Sequence, residues 1–417
     1  MNQNISLNRK VILNSNKIFC SCIAFYYALS VLNRVFASLL KGSFILASII
    51  RFGTYAVIIL VLLGMIGNFK RLVTLITLEV VVAIIFILSV ATGNIGNTEW
   101  QPVYEQIATT YIPLGIAAYC ITDRKMLLNA IYPVALVSVP ILIAVAVLSY
   151  GNWDYSYDMS LGYVMVFSVL VLMAQFTVDT KIYNIALAGC LSVFILLVGS
   201  RGPFICIIAF IMIELLLSPR YSKKTKTVII ILVVSAAVVL WINMDKILSY
   251  IYQISVSLGF DSRSVLLLIQ GEALSHDSGR NVLNEYYMEL INRKPILGYG
   301  VMGGWVSDDM YPHNIILELT LSFGYPLGGF LLIALLLILV SAIRKKNDKY
   351  NNALIVLFVS YCMYLFVSNT YLKVWQFFVC IALCIPNSKL IQWREQIYGK
   401  SEKRKLKKEK TRIKIKI

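Results

Sequence analysis

Three short stretches gather residue types that could handle a phosphate beside a lipid surface: Ser278-Gly279-Arg280, Lys294-Pro295-Ile296-Leu297-Gly298-Tyr299-Gly300 and Pro312-His313-Asn314. They bring a guanidinium, a glycine-rich bend and one of only two histidines into one polar interval of an otherwise apolar chain. His313 titrates near neutrality in its unperturbed state, so it can act as a general base or donate a hydrogen bond. A structural alternative is a helix-cap histidine at an interface. Glu318 lies one helical turn beyond Asn314 and can share the face of His313, where it would orient a substrate hydroxyl or pair with an arginine. His276 has no comparable context and reads as loop surface.

A second arginine, Arg201, sits in the tight turn Gly199-Ser200-Arg201-Gly202-Pro203. Flanked by hydrocarbon it costs a few kcal/mol unless it finds a partner, so it is either ion-paired and snorkelling or a phosphate clamp. The planar guanidinium fork binds phosphate bidentately, and Arg201 with Arg280 could hold a diphosphate. Arg51 and Glu79 fall inside apolar stretches. Arg51 lies nearer the outer half, in position to help with a lipid phosphate; pairing within the bundle is the alternative for both. Tyr286, Tyr287, Tyr299, Trp305 and Tyr311 suit either a membrane interface or a carbohydrate platform. Asp308 and Asp309 lack partner ligands at a metal-binding spacing, so neither a metal nor any other cofactor is expected.

These residues must be positioned by membrane-spanning helices. The chain has 417 residues, of which 59% are hydrophobic and 14% charged, and its mean hydropathy is +0.77. A soluble domain carries about a quarter charged residues, which excludes a large globular protein. A span needs roughly 20 apolar residues so that every backbone polar group is paired inside the segment. Twelve such spans are expected, at about 17–33, 43–66, 72–92, 104–121, 126–149, 159–178, 182–199, 202–217, 226–243, 313–343, 351–369 and 371–386. No small-residue cleavage site follows the first, so a removable signal peptide is not expected. The organisation is then an N-terminal membrane region over 1–243, a large extracytoplasmic loop over 244–312, a C-terminal membrane region over 313–386 and a basic tail over 387–417.

Arg9, Lys10, Lys17, Lys70, Arg71, Arg124, Lys125, Lys181, Arg220, Lys223, Lys224, Arg344 and Lys345 fall on one side of that arrangement. The opposite short loops carry Glu99, Glu105, Asp154 and Asp158. This is the positive-inside pattern, and it places both termini in the cytoplasm and 244–312 outside. Much of the +17 net charge lies in the tail Lys400–Lys416, which suits anionic lipid headgroups rather than nucleic acid. The eight cysteines all fall in expected spans and read as small hydrophobic filler. Within the loop, the apolar spacing predicts interfacial helices over 245–257 and 281–292, with Arg280 in the first turn of the second. Pro295 and the glycines after it should end that helix in a close-packed bend, and Pro312-His313-Asn314 should open the next span.

In this order the motifs resemble the O-antigen polymerase and O-antigen ligase superfamily. Its domain shows an arginine, a segment ending Pro-x-x-Gly-x-Gly, and a His-Asn pair followed after nine residues by a glycine, here Gly324. The Gly199-Ser200-Arg201 turn also matches. One departure is Leu327, where the family usually has a further glycine; Gly328 and Gly329 follow it. The resemblance implies an all-α polytopic fold of about twelve helices, similar to GT-C glycosyltransferases. It also implies a metal-independent transfer of glycan from undecaprenyl-diphosphate-linked oligosaccharide at the outer face of the bacterial cytoplasmic membrane. Arg201 and Arg280 would bind the diphosphate and His313 would activate the acceptor hydroxyl. Asn314, Glu318, Arg51, Tyr299, Trp305 and Tyr311 would contact substrate. The expected activity is a polysaccharide polymerase for O-antigen, capsule or exopolysaccharide, working with a flippase and a chain-length regulator. The alternatives are the ligase of the same superfamily and, from another class, a transporter of lipid-linked sugars. Against the transporter, the polar residues concentrate at the outer surface rather than at the midplane.

Overall fold

The computed structural model describes residues 2–39, 44–66, 69–92, 100–150, 159–197, 202–217, 280–307, 310–345 and 348–385, with short pieces at 222, 224, 227–228, 249–250, 252–253 and 256–257. Among these every regular element is helical: α1 (Asn2–Leu39), α2 (Phe44–Met65), α3 (Phe69–Ala91), α4 (Trp100–Gln106), α5 (Ile112–Cys120), α6 (Arg124–Tyr150), α7 (Met159–Asp179), α8 (Ile182–Leu197), α9 (Gly202–Leu217), α10 (Arg280–Arg293), α11 (Ile315–Arg344), α12 (Lys349–Cys362) and α13 (Trp375–Cys384). A π-helical turn, Ile107–Tyr111, joins α4 to α5.

Six described helices are long and apolar enough to cross a membrane, within α1, α2, α3, α6, α7 and α11; α8, α9 and α13 are apolar but shorter. The protein is therefore a helical membrane protein. α7 is its central helix, with 78% of its spanning window buried against 17% in α3. On α3, Ile76, Val80, Ile84, Ile87 and Leu88 are exposed, as a face turned to lipid must be. Apart from residues 227–228, the span expected at 226–243 lies outside the described residues, and so does most of 244–279. Three expected spans also differ in form. The helix at 313–343 begins at Ile315 and is broken at Gly324. The pair expected at 351–369 and 371–386 is one helix, α12, ending in a 3₁₀ turn at Met363–Phe366, a second 3₁₀ turn at Tyr371–Lys373, and the ten-residue α13. The polar run Ser368-Asn369-Thr370 is responsible, because its side chains bond to nearby backbone groups in place of the helical ladder.

Buried hydroxyls help to set the register. Tyr27 on α1 lies 2.6 Å from Ser168 on α7, and Ser168 lies 2.8 Å from Ser138 on α6, a network with no exposure to lipid. The helices alternate in direction, so two ends can be told apart. At one end Asn16 Nδ2 donates to Thr122 Oγ1 at 2.7 Å and Lys349 Nζ donates to the Val178 carbonyl at 3.1 Å. That end also holds Lys70, Arg71, Arg124, Lys125, Lys181 and Arg344. The opposite end holds Arg51, Ser89, Glu105 and the segments 280–307 and 310–314.

Candidate functional site

Periodicity places α10 first. Leu283, Tyr287, Leu290 and Ile291 form one stripe against the core, with Tyr287 and Ile291 fully buried, while Val282, Tyr286 and Met288 face out. Arg280 opens this helix, as its spacing predicted; its side chain lies outside the described part.

After α10 the chain locks onto the break in α11. Pro326 has no N–H, so the carbonyl of Ser322 has no donor from its own helix. Gly324 sits at φ +72°, which turns the Tyr325 N–H away to the carbonyl of Pro295 at 2.8 Å. The two carbonyls so released are taken up by the glycine bend: Tyr299 N–H donates to Leu321 and Gly300 N–H to Ser322, each at 2.8 Å. Gly298 makes the approach possible. Its φ is +67°, and a β-carbon there would lie 2.6 Å from the Leu321 carbonyl oxygen. The next amide, Val301, donates to Ser89 Oγ on α3 at 3.0 Å. The Pro-x-x-Gly-x-Gly segment is thus a clasp between α3 and the broken α11.

The clasp leads into an aromatic stack. Trp305 and Tyr311 lie with ring centroids 4.9 Å apart and planes 30° apart, and the His313 ring lies 4.3 Å from Tyr311. Tyr287 Oη donates to the Met310 carbonyl, fixing the segment that carries the stack. Burial pushes the Tyr287 hydroxyl well above its usual pKa, so it stays a donor at physiological pH. Asn314 caps α11, accepting from the Ile316 N–H at 2.8 Å. Pro312 accordingly precedes the cap and is not inside the helix.

The C-terminal turn closes the other side. Thr370 Oγ1 donates to Glu318, which is wholly buried, and accepts from the Leu372 N–H at 3.1 Å. Asn369, at φ +63°, accepts from the Thr370 N–H at 2.8 Å and lies 3.4 Å from Tyr311 Oη. Lys373 Nζ sits 5.4 Å from the Tyr311 ring centroid and 5.9 Å from that of Trp305. The Lys373 carbonyl accepts from Tyr111 Oη, in the π-helical turn, at 3.0 Å.

Of the expected site residues, the structure brings together His313, Trp305, Tyr311, Asn314 and Glu318. Glu318 meets Thr370 instead of an arginine among the described residues. Tyr299 lies on the clasp with Lys294 Nζ 4.4 Å from its ring. Arg51, at the same end of the bundle, is held by Glu105 at 3.3 Å, and Tyr55 Oη donates to the same carboxylate. Glu79 is half-buried on α3 and not paired with Arg51. Arg201, Asp308 and Asp309 lie outside the described residues. Lys373, Asn369 and Thr370 were missed. Their signal was a single residue, Thr370, left to connect two expected spans, with a lysine three positions on. Among the described residues no three His, Cys, Asp or Glu side chains converge as a metal-binding set.

Residues 185–332 match the family described as O-antigen ligase. The match takes in the Arg201 turn, α10, the clasp, the aromatic stack and the break in α11. No curated protein and no solved structure matches the chain.

Proposed function

Because residues 185–332 carry a domain of the O-antigen ligase and polymerase superfamily, we propose that this protein is a polysaccharide polymerase. It transfers glycan from an undecaprenyl-diphosphate-linked donor to a sugar hydroxyl of another lipid-linked repeat unit. The observation that carries this is His313 held against Tyr311, which stacks on Trp305, at the end of the bundle away from the described cation-rich end. By the positive-inside bias that end faces out of the cytoplasmic membrane, with both termini inside. His313 takes the proton of the acceptor hydroxyl as that oxygen attacks the anomeric carbon. Arg280 and Arg201 neutralise the diphosphate as the carbon–oxygen bond to it breaks, so the charge developing on the leaving group is stabilised in place. Trp305 and Tyr311 are buried and back His313 in place of the expected sugar contact, which leaves the partly exposed Tyr299 on the clasp as the ring that can carry sugar; Asn314 and Glu318 hold the floor of the site. Arg51 serves lipid phosphate from the same end while Glu105 orients it. A flippase supplying the donor and a chain-length regulator are the partners this role needs.

The family's description as O-antigen ligase favours a second reading, a ligase that passes finished glycan to a different acceptor. One experiment addresses both. Cells carrying His313→Ala in place of the native chain, at matched membrane levels, are expected to lose long surface polysaccharide while still displaying single repeat units. Accumulation of long lipid-linked chains that never reach their acceptor would instead identify the ligase. Unchanged long chains would end the catalytic reading.

A further inference from the structure

Gly202 opens α9, and the place its side chain would take is filled by another residue's hydroxyl. A β-carbon built on Gly202 would fall on the hydroxyl oxygen of Tyr163, with the ring carbon that bears it at 3.2 Å. Only glycine allows so close an approach. Arg201 precedes Gly202 in the chain, so the level at which α9 starts fixes the point from which Arg201 departs. Tyr163 itself is 6% exposed and lies one turn into α7. Val178, near the far end of α7, lies at the cation-rich end, so Tyr163 and the start of α9 lie at the end that carries His313.

Tyr163 is fixed from two directions. Its ring stacks on Tyr364 with centroids 4.2 Å apart and planes 28° apart, and its carbonyl accepts from Tyr361 Oη at 3.3 Å. One turn along α9 from Gly202, Cys206 Sγ donates to the Tyr361 carbonyl at 3.4 Å, so α7, α9 and α12 meet here. The Tyr364 carbonyl accepts from the Ser368 N–H at 2.8 Å, and two residues further on Thr370 donates to Glu318 in the first turn of α11. That helix directly follows His313 and Asn314. A line of buried contacts therefore runs from Gly202 through Tyr163 and Tyr364 to the helix that follows His313. The ring alone would satisfy the stack; the hydroxyl is what reaches α9.

Resting on the proposed function, we propose that Tyr163 is a positioning residue for transfer. Its hydroxyl, seated in place of a side chain at Gly202, sets the level at which α9 begins and so the point from which Arg201 is presented. The Tyr364 stack refers that level to the helix that follows His313, so base and arginine are located by one rigid cluster. Tyr163 does not touch substrate in this role. A shift of about 1 Å, made away from the chemistry, can cost about a hundredfold in rate. The cluster joins α7 and α12, which lie outside residues 185–332, to the turn within them.

The test reads the ratio of long surface chains to single repeat units in cells carrying the full chain, with folded membrane levels matched. Gly202→Ala drives a β-carbon into the hydroxyl and is expected to lower that ratio about tenfold or more. Tyr163→Phe should lower it several-fold while the melting temperature of the solubilised chain barely moves. Added to Gly202→Ala, Tyr163→Phe clears the space and should return the ratio to the level of Tyr163→Phe alone. A double variant no better than Gly202→Ala, or a wild-type ratio in Tyr163→Phe, overturns the proposal. So does a loss that merely follows the amount of folded chain, which would mark plain packing. Arg201→Lys supplies the second readout, because an ammonium does not replace the guanidinium fork. In that background Tyr163→Phe should add little; if the two losses multiply, the hydroxyl acts elsewhere and the positioning role is refuted. Arg201→Ala separates the two readings: undiminished long chains would remove the arginine from the proposed function, whereas their loss beside an active Gly202→Ala would sink only the role of Tyr163. Should Gly202→Ala not reach the membrane, Tyr163→Phe decides alone by the same criterion.

Discussion

The N–H of Gly300 donates to the carbonyl of Ser322 at 2.8 Å, and that carbonyl is open because Pro326, four residues further on, has no N–H to offer it. The glycine bend after α10 and the break in α11 are therefore two halves of one feature. Each supplies what the other lacks, and both stay satisfied where unpaired backbone would be costly. The segment that carries His313 hangs between them.

Restoring the missing donor tests this exchange. In Pro326→Ala the new N–H competes for Ser322, and the Gly300 contact should weaken by about 1 kcal/mol. Hydrogen exchange at Gly300 and Tyr299 is expected to quicken several-fold, with exchange in α7 unchanged. Protection equal to wild type would mean that the clasp is held by other contacts.

Gly298→Ala should damage the clasp more severely. A left-handed alanine costs about 1–2 kcal/mol before any clash, and here the β-carbon also meets the Leu321 carbonyl. The expected result is a lowered melting temperature of the detergent-solubilised chain and loss of transfer activity. Gly329→Ala, where a β-carbon meets nothing within 4 Å, should be neutral or slightly stabilising in the same assay.

Thr370→Val preserves shape and removes the hydroxyl that donates to Glu318. The buried carboxyl then loses the hydroxyl donor and keeps the Tyr371 backbone, and a destabilisation of about 1–3 kcal/mol is expected. Thr370→Ser should recover most of it, and Glu318→Leu in the Thr370→Val background should recover part. A Thr370→Val chain that melts like wild type would show that the pair does not hold the C-terminal turn.

Tyr287→Phe deletes the donor to the Met310 carbonyl at a loss of about 1 kcal/mol. Transfer activity should fall further than stability does, because the aromatic stack is displaced while the bundle stands. The deficit should be constant across neutral pH: burial raises the pKa of this hydroxyl, so it does not ionise there. A deficit that grows or vanishes between pH 6 and about pH 8 would point to another group.

Much of the site was legible along the chain because its parts are local. α10 was expected from an apolar pattern of Val282, Leu283, Tyr286, Leu290 and Ile291, of which Val282 and Tyr286 face out while Tyr287 is buried in their place, and the glycines that end it lie at φ values that side chains resist. The spans read from hydropathy were less secure where polar residues interrupt them. Thr370 fell between two expected spans, and only its side-chain bonds show that the chain there turns twice before resuming a helix.

Composition and periodicity by themselves determined a helical membrane protein with a polar interval bearing His313, since hydrocarbon forces each span to satisfy its own backbone and leaves the chemistry to what lies between. Only the tertiary structure decided what surrounds the segment that carries His313. Tyr111, Ser89 and Thr370 come from three distant parts of the chain, and no spacing rule links them. Their contacts depend on which helices pack side by side and on a proline and a glycine that open α11 at the one level where the bend can enter it.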